Sequence, residues 1–145
     1  MQLSEHFSLE ELTVSEVAAR HNLNNVPTDP TILANLKILA DNLEKVRALL
    51  GHPIHINSAY RAPAVNAIVG SKPTSYHVKG LAADIVCPAF GTPRDIVEAI
   101  INSGIRFDQI IWEYNSWCHI GFAMAGMVPR RQRLTINASG TSEYK

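Results

Sequence analysis

The longest regular pattern of apolar and polar positions in the chain is a helical one. Across Pro30–Leu50, apolar residues recur every three or four positions, and Gly51 and Pro53 follow as stop signals. Two earlier segments, Ser8–Glu11 and Thr13–Glu16, each have a hydroxyl residue followed three positions later by Glu. This is the form of a capping box, so we predict a short helix at each segment and a long helix after them.

After the long helix, the pattern changes to short runs of β-type residues. Four runs predict strands: Ile54–Ser58, Ala82–Val86, Gln109–Tyr114 and Trp117–Phe122. Between the second and third runs, Thr92 and Pro93 begin an apolar segment that we predict to be a helix capped by Thr92. Because strands and helices do not alternate strictly, we predict an α+β domain whose helices pack on one side of a small, mostly antiparallel sheet.

Length and composition indicate one globular domain. The chain has 145 residues, of which 46% are hydrophobic. We place the domain at residues 1–128 and expect residues 129–145 to form a polar, solvated tail. Thirteen basic and thirteen acidic residues give a formal net charge of zero. This balance argues against nucleic-acid binding, because a binder needs an excess of basic residues to neutralise phosphates.

The apolar segments also limit the function. No apolar run reaches the roughly 18 residues that suggest a membrane span, so we expect no membrane insertion. The N-terminal residues lack the basic start and apolar stretch of a Sec signal, and we expect none. Cys87 and Cys118 each lie among apolar residues, and we expect both to be buried thiols.

Three residues with metal-binding side chains stand out. Asp84 lies in the apolar run Ala82–Val86, where an ionised carboxylate is costly unless it is paired, hydrogen-bonded or bound to a metal. His77 precedes this run in a segment that we predict to be a polar loop, and His119 lies among apolar neighbours. Two histidines and one aspartate suffice for a catalytic zinc site. Spacing alone favours the plainer alternative of half-buried histidines and a salt-bridged aspartate.

The other histidines give no comparable signal. They lie near segment ends or in turn-like sequence, and none has an acidic neighbour at a ligand spacing: His6, His21, His52 and His55. We interpret them as surface or structural residues.

Three sequence blocks together resemble a known family. The blocks are Ser58-Ala-Tyr-Arg61 with Asn66 and Gly70 after it, Ser75-x-His77-x-x-Gly80-x-Ala82-x-Asp84, and Trp117-Cys-His119. They resemble the zinc D-alanyl-D-alanine carboxypeptidases and the related phage L-alanyl-D-glutamate endopeptidases, which cleave the stem peptides of bacterial peptidoglycan. The opening segment from His6 to Leu12 and the helix before Ser58 look like the compact phage-type branch. The similarity covers about Ser4 to Phe122.

The resemblance implies a zinc-dependent peptidase with its zinc site at the sheet. Its metal ligands would be His77, Asp84 and His119. Arg61 would anchor a substrate carboxylate, which a planar guanidinium can hold with two parallel hydrogen bonds. Ser75 and Tyr76, beside the first ligand, could contact the substrate, although Ser75 could equally orient its own segment.

The general base is where this sequence departs from the better-known members of the family. Many of those have an acid three residues before the last ligand or a histidine two before it, but here these positions are Ser116 and Trp117. The nearest acid is Glu113, and compact phage-type members also have a glutamate at this place. The resemblance therefore implies that Glu113 is the base.

Strand geometry turns this assignment into a test. A two-residue hairpin loop would pair Glu113 with Cys118 and point it away from His119. A three-residue loop, 114–116, would pair Glu113 with Trp117 and place it on the same face as His119. Catalysis by Glu113 therefore requires the odd-numbered loop, in which Asn115 can adopt the left-handed conformation.

The biological setting follows from the resemblance. The expected partner is the peptidoglycan stem peptide. An enzyme without an export signal suits a phage, which releases it through a holin or carries it in the virion. We therefore expect it in the virion or host cytoplasm, with action at the bacterial cell wall. The alternative is a non-catalytic peptidoglycan-binding or virion structural domain that keeps the fold, and the cleaved bond stays open.

Overall fold

The structure, a computed structural model, describes residues 1–145 as six helices and six strands. The helices are α1 (Leu9–Thr13), α2 (Glu16–Arg20), α3 (Pro30–Leu50), α4 (Pro63–Ile68), α5 (Tyr76–Lys79) and α6 (Pro93–Ile101). The strands are β1 (His55–Ser58), β2 (Ala82–Val86), β3 (Gln109–Glu113), β4 (Trp117–Gly121), β5 (Gln132–Asn137) and β6 (Gly140–Glu143).

All six strands form one sheet in the order β1-β2-β4-β3-β5-β6. Every neighbouring pair is antiparallel except β3 and β5, which run parallel. The predicted α+β class with a mostly antiparallel sheet is confirmed. No helix is both long enough and apolar enough to span a bilayer.

The two longest helices cover one face of the sheet. Ile85, Ile110 and Ile120 point from the central strands into the same buried cluster as Leu39 of α3 and Ile100 of α6. Burial of these side chains is the main stabilising contribution to the fold. Cys87 and Cys118 are both buried free thiols, as expected, and belong to this cluster.

The other face of the sheet is left open for polar side chains. Side chains alternate along a strand, so the residues next to the core positions point the opposite way. Asp84 on β2 and His119 on β4 are such residues, and they are direct partners across the strand pair. The short helix α5 lies on this face, where the Tyr76 ring lies against Gly121.

Most predicted helix ends are confirmed, and one is wrong. Ser8 caps α1, and Thr92 caps α6 in a reciprocal box with Asp95. The cap of α2, however, is Ser15, whose side chain accepts from the Ala18 amide. Thr13 ends α1, and its hydroxyl donates to the Leu9 carbonyl. Thr13 and Ser15, two positions apart, offer similar caps, and the one that follows the end of α1 is used.

The segment expected to be a solvated tail is part of the sheet. β5 pairs with β3 over five residue pairs, from Gln109 with Gln132 to Glu113 with Ile136. Tyr144 near the C-terminus is buried. The expectation followed polarity, which is typical of a tail, but it is also typical of strands at the edge of a sheet.

Candidate metal centre

Asp84 and His119 are brought together by strand pairing. They lie directly opposite each other on β2 and β4, and directly paired residues point to the same face. Asp84 Oδ1 lies 2.9 Å from His119 Nδ1. Both residues are buried, although they are on the face away from the main core. The apolar run that made Asp84 conspicuous in the sequence is the central strand of the site.

His77 comes from the short helix α5, not from the predicted loop. Ser75 caps this helix, with its hydroxyl accepting from the His77 amide, and Gly80 ends it with a φ of 77°. One helical turn is too short to show a periodic pattern, so this helix leaves no periodic signal in the sequence. The turn fixes the His77 backbone next to β2.

The three side chains converge on one point. His77 Nε2 lies 3.3 Å from Asp84 Oδ1, and one ligand atom from each of His77, Asp84 and His119 lies within 4.8 Å of the others. Donor atoms at the corners of a tetrahedron around zinc lie about 3.3 Å apart, given bonds of about 2.0 Å. Two imidazole nitrogens and one carboxylate oxygen at these distances fit zinc.

The orientation of His77 favours metal binding as well. Its Nδ1 lies 2.7 Å from the carbonyl oxygen of Ala59. A carbonyl can only accept, so Nδ1 carries the hydrogen and Nε2 presents its lone pair toward Asp84. A backbone carbonyl that fixes the tautomer of a ligating histidine is a regular feature of metal sites.

The protonation states of Asp84 and His77 are those that metal ligands require. Burial acts to raise the pKa of Asp84, but its contacts with the imidazoles of His77 and His119 outweigh it and hold the pKa well below its usual range. Burial lowers the pKa of His77 against the opposing attraction of Asp84. At neutral pH the aspartate is therefore ionised and His77 is neutral.

Glu113 lies on the same face as the group. It pairs with Trp117, so the loop between β3 and β4 has three residues, which confirms the geometry that a role for Glu113 requires. Asn115 is left-handed at φ 51°, as expected, and Tyr114 is left-handed too, at φ 53°. Burial and the nearby charge of Asp84 raise the pKa of Glu113. A carboxylate with a raised pKa is a stronger base.

Arg61 has an unsatisfied donor beside the metal group. Its amide donates to the His77 carbonyl, which ties its backbone to α5. Its side-chain Nε is buried and makes no hydrogen bond within the protein. Burial lowers the pKa of Arg61, while Asp84 and Glu113 oppose this effect. A buried unpaired donor is costly, so a ligand that accepts from it gains affinity.

One open cleft of about 1030 Å³ joins these residues. It is lined by every residue that the sequence suggested for the site: Arg61, Ser75, Tyr76, His77, Asp84, Glu113 and His119. The cleft also contains residues that the sequence analysis missed, among them Lys79, Trp117 and Arg130. Trp117 could have been found from strand alternation with His119. Arg130 could not, because it reaches the cleft only when β5 pairs with β3.

The fold and this site define a class of protein. A buried His-Asp-His group on the open face of an α+β sheet, beside a glutamate and an unpaired arginine, is typical of a zinc metallopeptidase. Residues 5–121 match the family described as peptidase M15. The chain therefore belongs to the peptidase M15 family, as the sequence blocks indicated, and it is a zinc-dependent peptidase of a family that acts on peptidoglycan. No curated protein matches the chain significantly.

Proposed function

We propose that this peptidase hydrolyses an amide bond in the stem peptide of bacterial peptidoglycan, with His77, Asp84 and His119 as its zinc ligands. The observation that carries the proposal is the convergence of these three donors in a cleft that also contains Glu113 and Arg61. Zinc held by three protein ligands lowers the pKa of a coordinated water and polarises a carbonyl group.

In this proposal Glu113 is the general base. Its carboxylate takes a proton from the attacking water, and the resulting acid donates that proton to the leaving amine. Two observations support the role: the register of β3 and β4 puts Glu113 on the same face as His119, and its pKa is raised by burial and by Asp84. No other acid except Asp84 lines the cleft.

Arg61 anchors a carboxylate of the substrate. Its unpaired, buried Nε and its position near Asp84 and Glu113 support this role. Tyr76 contacts the substrate with its ring, which lines the same cleft. Ser75 caps α5 by accepting a hydrogen bond from the His77 amide, and it also contacts the substrate within the cleft.

Two finer assignments extend the proposal. The cleaved bond is of the D-Ala-D-Ala carboxypeptidase or L-Ala-D-Glu endopeptidase type. The biological source is a phage, in which the enzyme acts on the cell wall as a lysin released through a holin or as part of the virion. The resemblance of the segment His6–Leu12 to the compact phage-type branch supports the second assignment.

The test is to incubate zinc-loaded protein with purified peptidoglycan and with muropeptides of defined structure. Mass spectrometry of the products then identifies the bond: free D-alanine indicates a carboxypeptidase, and a new D-glutamyl amino terminus indicates an endopeptidase. Protein stripped of metal by a chelator is the control. Fully zinc-loaded protein that cleaves no bond in any of these substrates would contradict the proposal.

A further inference from the structure

The cleft continues past the metal group along strand β3. Gln109 and Glu113 both line it, and they are four residues apart on the same face of that strand. At about 3.4 Å per residue, their α-carbons lie roughly 14 Å apart. Ile111, which pairs with His119, lies between them. Glu113 is thus at one end of the cleft, the metal group is in the middle and Gln109 is at the other end.

Arg130 occupies the Gln109 end in a fixed orientation. Its Nε and Nη2 donate to Asp108 Oδ2 at 3.0 and 2.8 Å, and its amide donates to Asp108 Oδ1 at 2.9 Å. The Asp108 side chain is only 3% exposed, whereas that of Arg130 is 53% exposed. The Tyr76 side chain also lies close to this guanidinium. The buried carboxylate therefore holds one edge of the guanidinium and leaves the other edge open to the cleft.

A second cation, Lys79, lies near the same aromatic ring as Arg130. Lys79 Nζ is 4.8 Å and Arg130 Cζ is 5.8 Å from the centroid of the Tyr76 ring, so both cations interact with the same aromatic ring. All three residues line the cleft and also a smaller adjoining cavity of about 190 Å³. The partly exposed Met124 and Met127 give this cavity an apolar wall.

The charges that line the cleft are not balanced, although those of the whole chain are. Four basic side chains line it, and the acidic side chains are only Asp84 and Glu113. Both acids have roles in the proposed chemistry. At the Gln109 end, Arg130 is paired with the buried Asp108, whereas Lys79 forms no ion pair, so this end of the cleft keeps a net positive charge.

We propose that Arg130 and Lys79 form a second carboxylate subsite, which binds an anionic group of the substrate on the opposite side of the metal group from Glu113. This inference rests on the proposed function. A peptidoglycan stem peptide carries more than one carboxylate, and the apolar wall beside the subsite fits the aliphatic part of such a residue. Arg130 lies beyond the family match, which ends at residue 121. The segment that leads into β5 thus contributes Arg130 to the subsite, whereas Lys79 comes from α5.

The test is a scan of substrate carboxylates against protein variants. The muropeptide that the wild-type enzyme cleaves best is prepared in forms that each have one carboxylate converted to a carboxamide. One conversion should lower kcat/KM of the wild type by about 10-fold or more. The same conversion should have little effect on kcat/KM of Arg130→Gln, because this variant lacks the guanidinium that binds the carboxylate. The wild type and this variant should then cleave that carboxamide form at similar rates.

Two further variants keep the test decisive. Arg130→Gln leaves Asp108 without its partner, so the double variant Asp108→Asn, Arg130→Gln supplies a neutral pair and should show the same loss of discrimination. Arg131→Gln is the matched control, because Arg131 donates to the Ile105 carbonyl and lies over the Phe107 ring, away from the cleft. Arg131→Gln should distinguish the carboxylate substrate from its carboxamide form as the wild type does.

The inference and the proposed function fail in different ways. A wild-type enzyme that cleaves no muropeptide contradicts the proposed function. The second subsite alone is contradicted if the wild type is active but each carboxamide conversion lowers kcat/KM by the same factor in the wild type and in Arg130→Gln. Equal loss of discrimination in Arg131→Gln would also contradict it.

Discussion

At the scale of single residues, the site depends on keeping an ionised carboxylate in an apolar strand. Asp84 is flanked by fully buried Ala83 and Ile85, and an isolated charge there would cost several kcal/mol. The neighbouring imidazoles of His77 and His119 offset this cost. The same arrangement holds the donor atoms at distances that suit a metal ion.

Glu113 gives the sharpest prediction at this scale. Glu113→Gln keeps the shape of the side chain but removes the base, so hydrolysis should fall by about 100-fold or more. Zinc content should stay unchanged, because Glu113 is outside the His77–Asp84–His119 group. Turnover and metal content are measured on the same sample. Glu143→Gln, on exposed β6, is the control and should behave like the wild type. Full activity in Glu113→Gln would assign the base elsewhere.

Individual residues differ in how far the sequence could predict them. Asp84 was visible because a charge in an apolar run is conspicuous. Glu113 came from the family resemblance, and strand parity provided a geometric test of it. Arg61 depended on the family resemblance. Arg130 was hidden, because its place in the cleft is set by pairing between β3 and β5 and not by any local pattern.

At the scale of elements, the short helix α5 is the part that completes the metal group. It has a single turn, and isolated helices of that length are unstable in water. Its ends are fixed by the Ser75 cap and by Gly80 in the left-handed conformation. Gly80 also packs tightly: a Cβ there would lie 3.1 Å from Leu36 Cγ on α3.

Gly80→Ala should therefore destabilise the protein and weaken zinc binding together. The left-handed backbone costs about 1 kcal/mol for a non-glycine residue, and the contact with Leu36 adds about 1 kcal/mol or more. Gly51→Ala is the matched control, since Gly51 has a similar φ of 70° but nothing within 4 Å. It should show the first cost only and bind zinc normally. Chemical denaturation and competitive zinc titration measure the two effects, and equal results for both variants would contradict the explanation.

Elements were predictable in proportion to their length. The 21-residue helix α3 has enough periodicity to be found with both ends correct. The one-turn helix α5 has too few positions for any period to appear. β5 and β6 were missed for another reason: their strands are largely exposed and polar. β5 is stabilised by pairing with β3, which is distant in sequence, and β6 by pairing with β5.

At the scale of the whole molecule, the C-terminal strands complete both the sheet and the cleft. β5 covers the edge of β3, and it brings Ile136 to the lining of the cleft. The segment that leads into β5 is held next to β3 by the buried Asp108, which accepts three hydrogen bonds from Arg130. The net charge of zero did not indicate that the cleft is basic, because a sum over the whole chain hides a local excess of cations.

Asp108→Asn tests this connection through pH. Burial acts to raise the pKa of Asp108, but the hydrogen bonds from Arg130 hold it below its usual value. The folded pKa is thus below the unfolded value of about 3.9, so the ion pair stabilises the fold above that pH and the stabilisation is lost as pH falls through the folded pKa. At pH 7 the variant should lose about 2 kcal/mol of unfolding free energy. Below about pH 4 the difference from the wild type should shrink.

The control for this prediction is Asp41→Asn. Asp41 pairs with Lys37 on the surface of α3, where both side chains are 54% exposed, so its loss should change stability by less than about 1 kcal/mol. Denaturant titrations at neutral and acidic pH measure both variants. A loss in Asp108→Asn that is the same at every pH would show that the ion pair is not its cause.

Zinc bound by His77, Asp84 and His119 is expected to enable this chain to cleave peptidoglycan stem peptides. The most direct measurement is a zinc titration of metal-free protein with muropeptide cleavage as the readout. Activity should rise in proportion to added zinc until one equivalent is bound. Asp84→Asn should need far more zinc or stay inactive. Cleavage that continues without metal, or that is unchanged in Asp84→Asn, would contradict the claim.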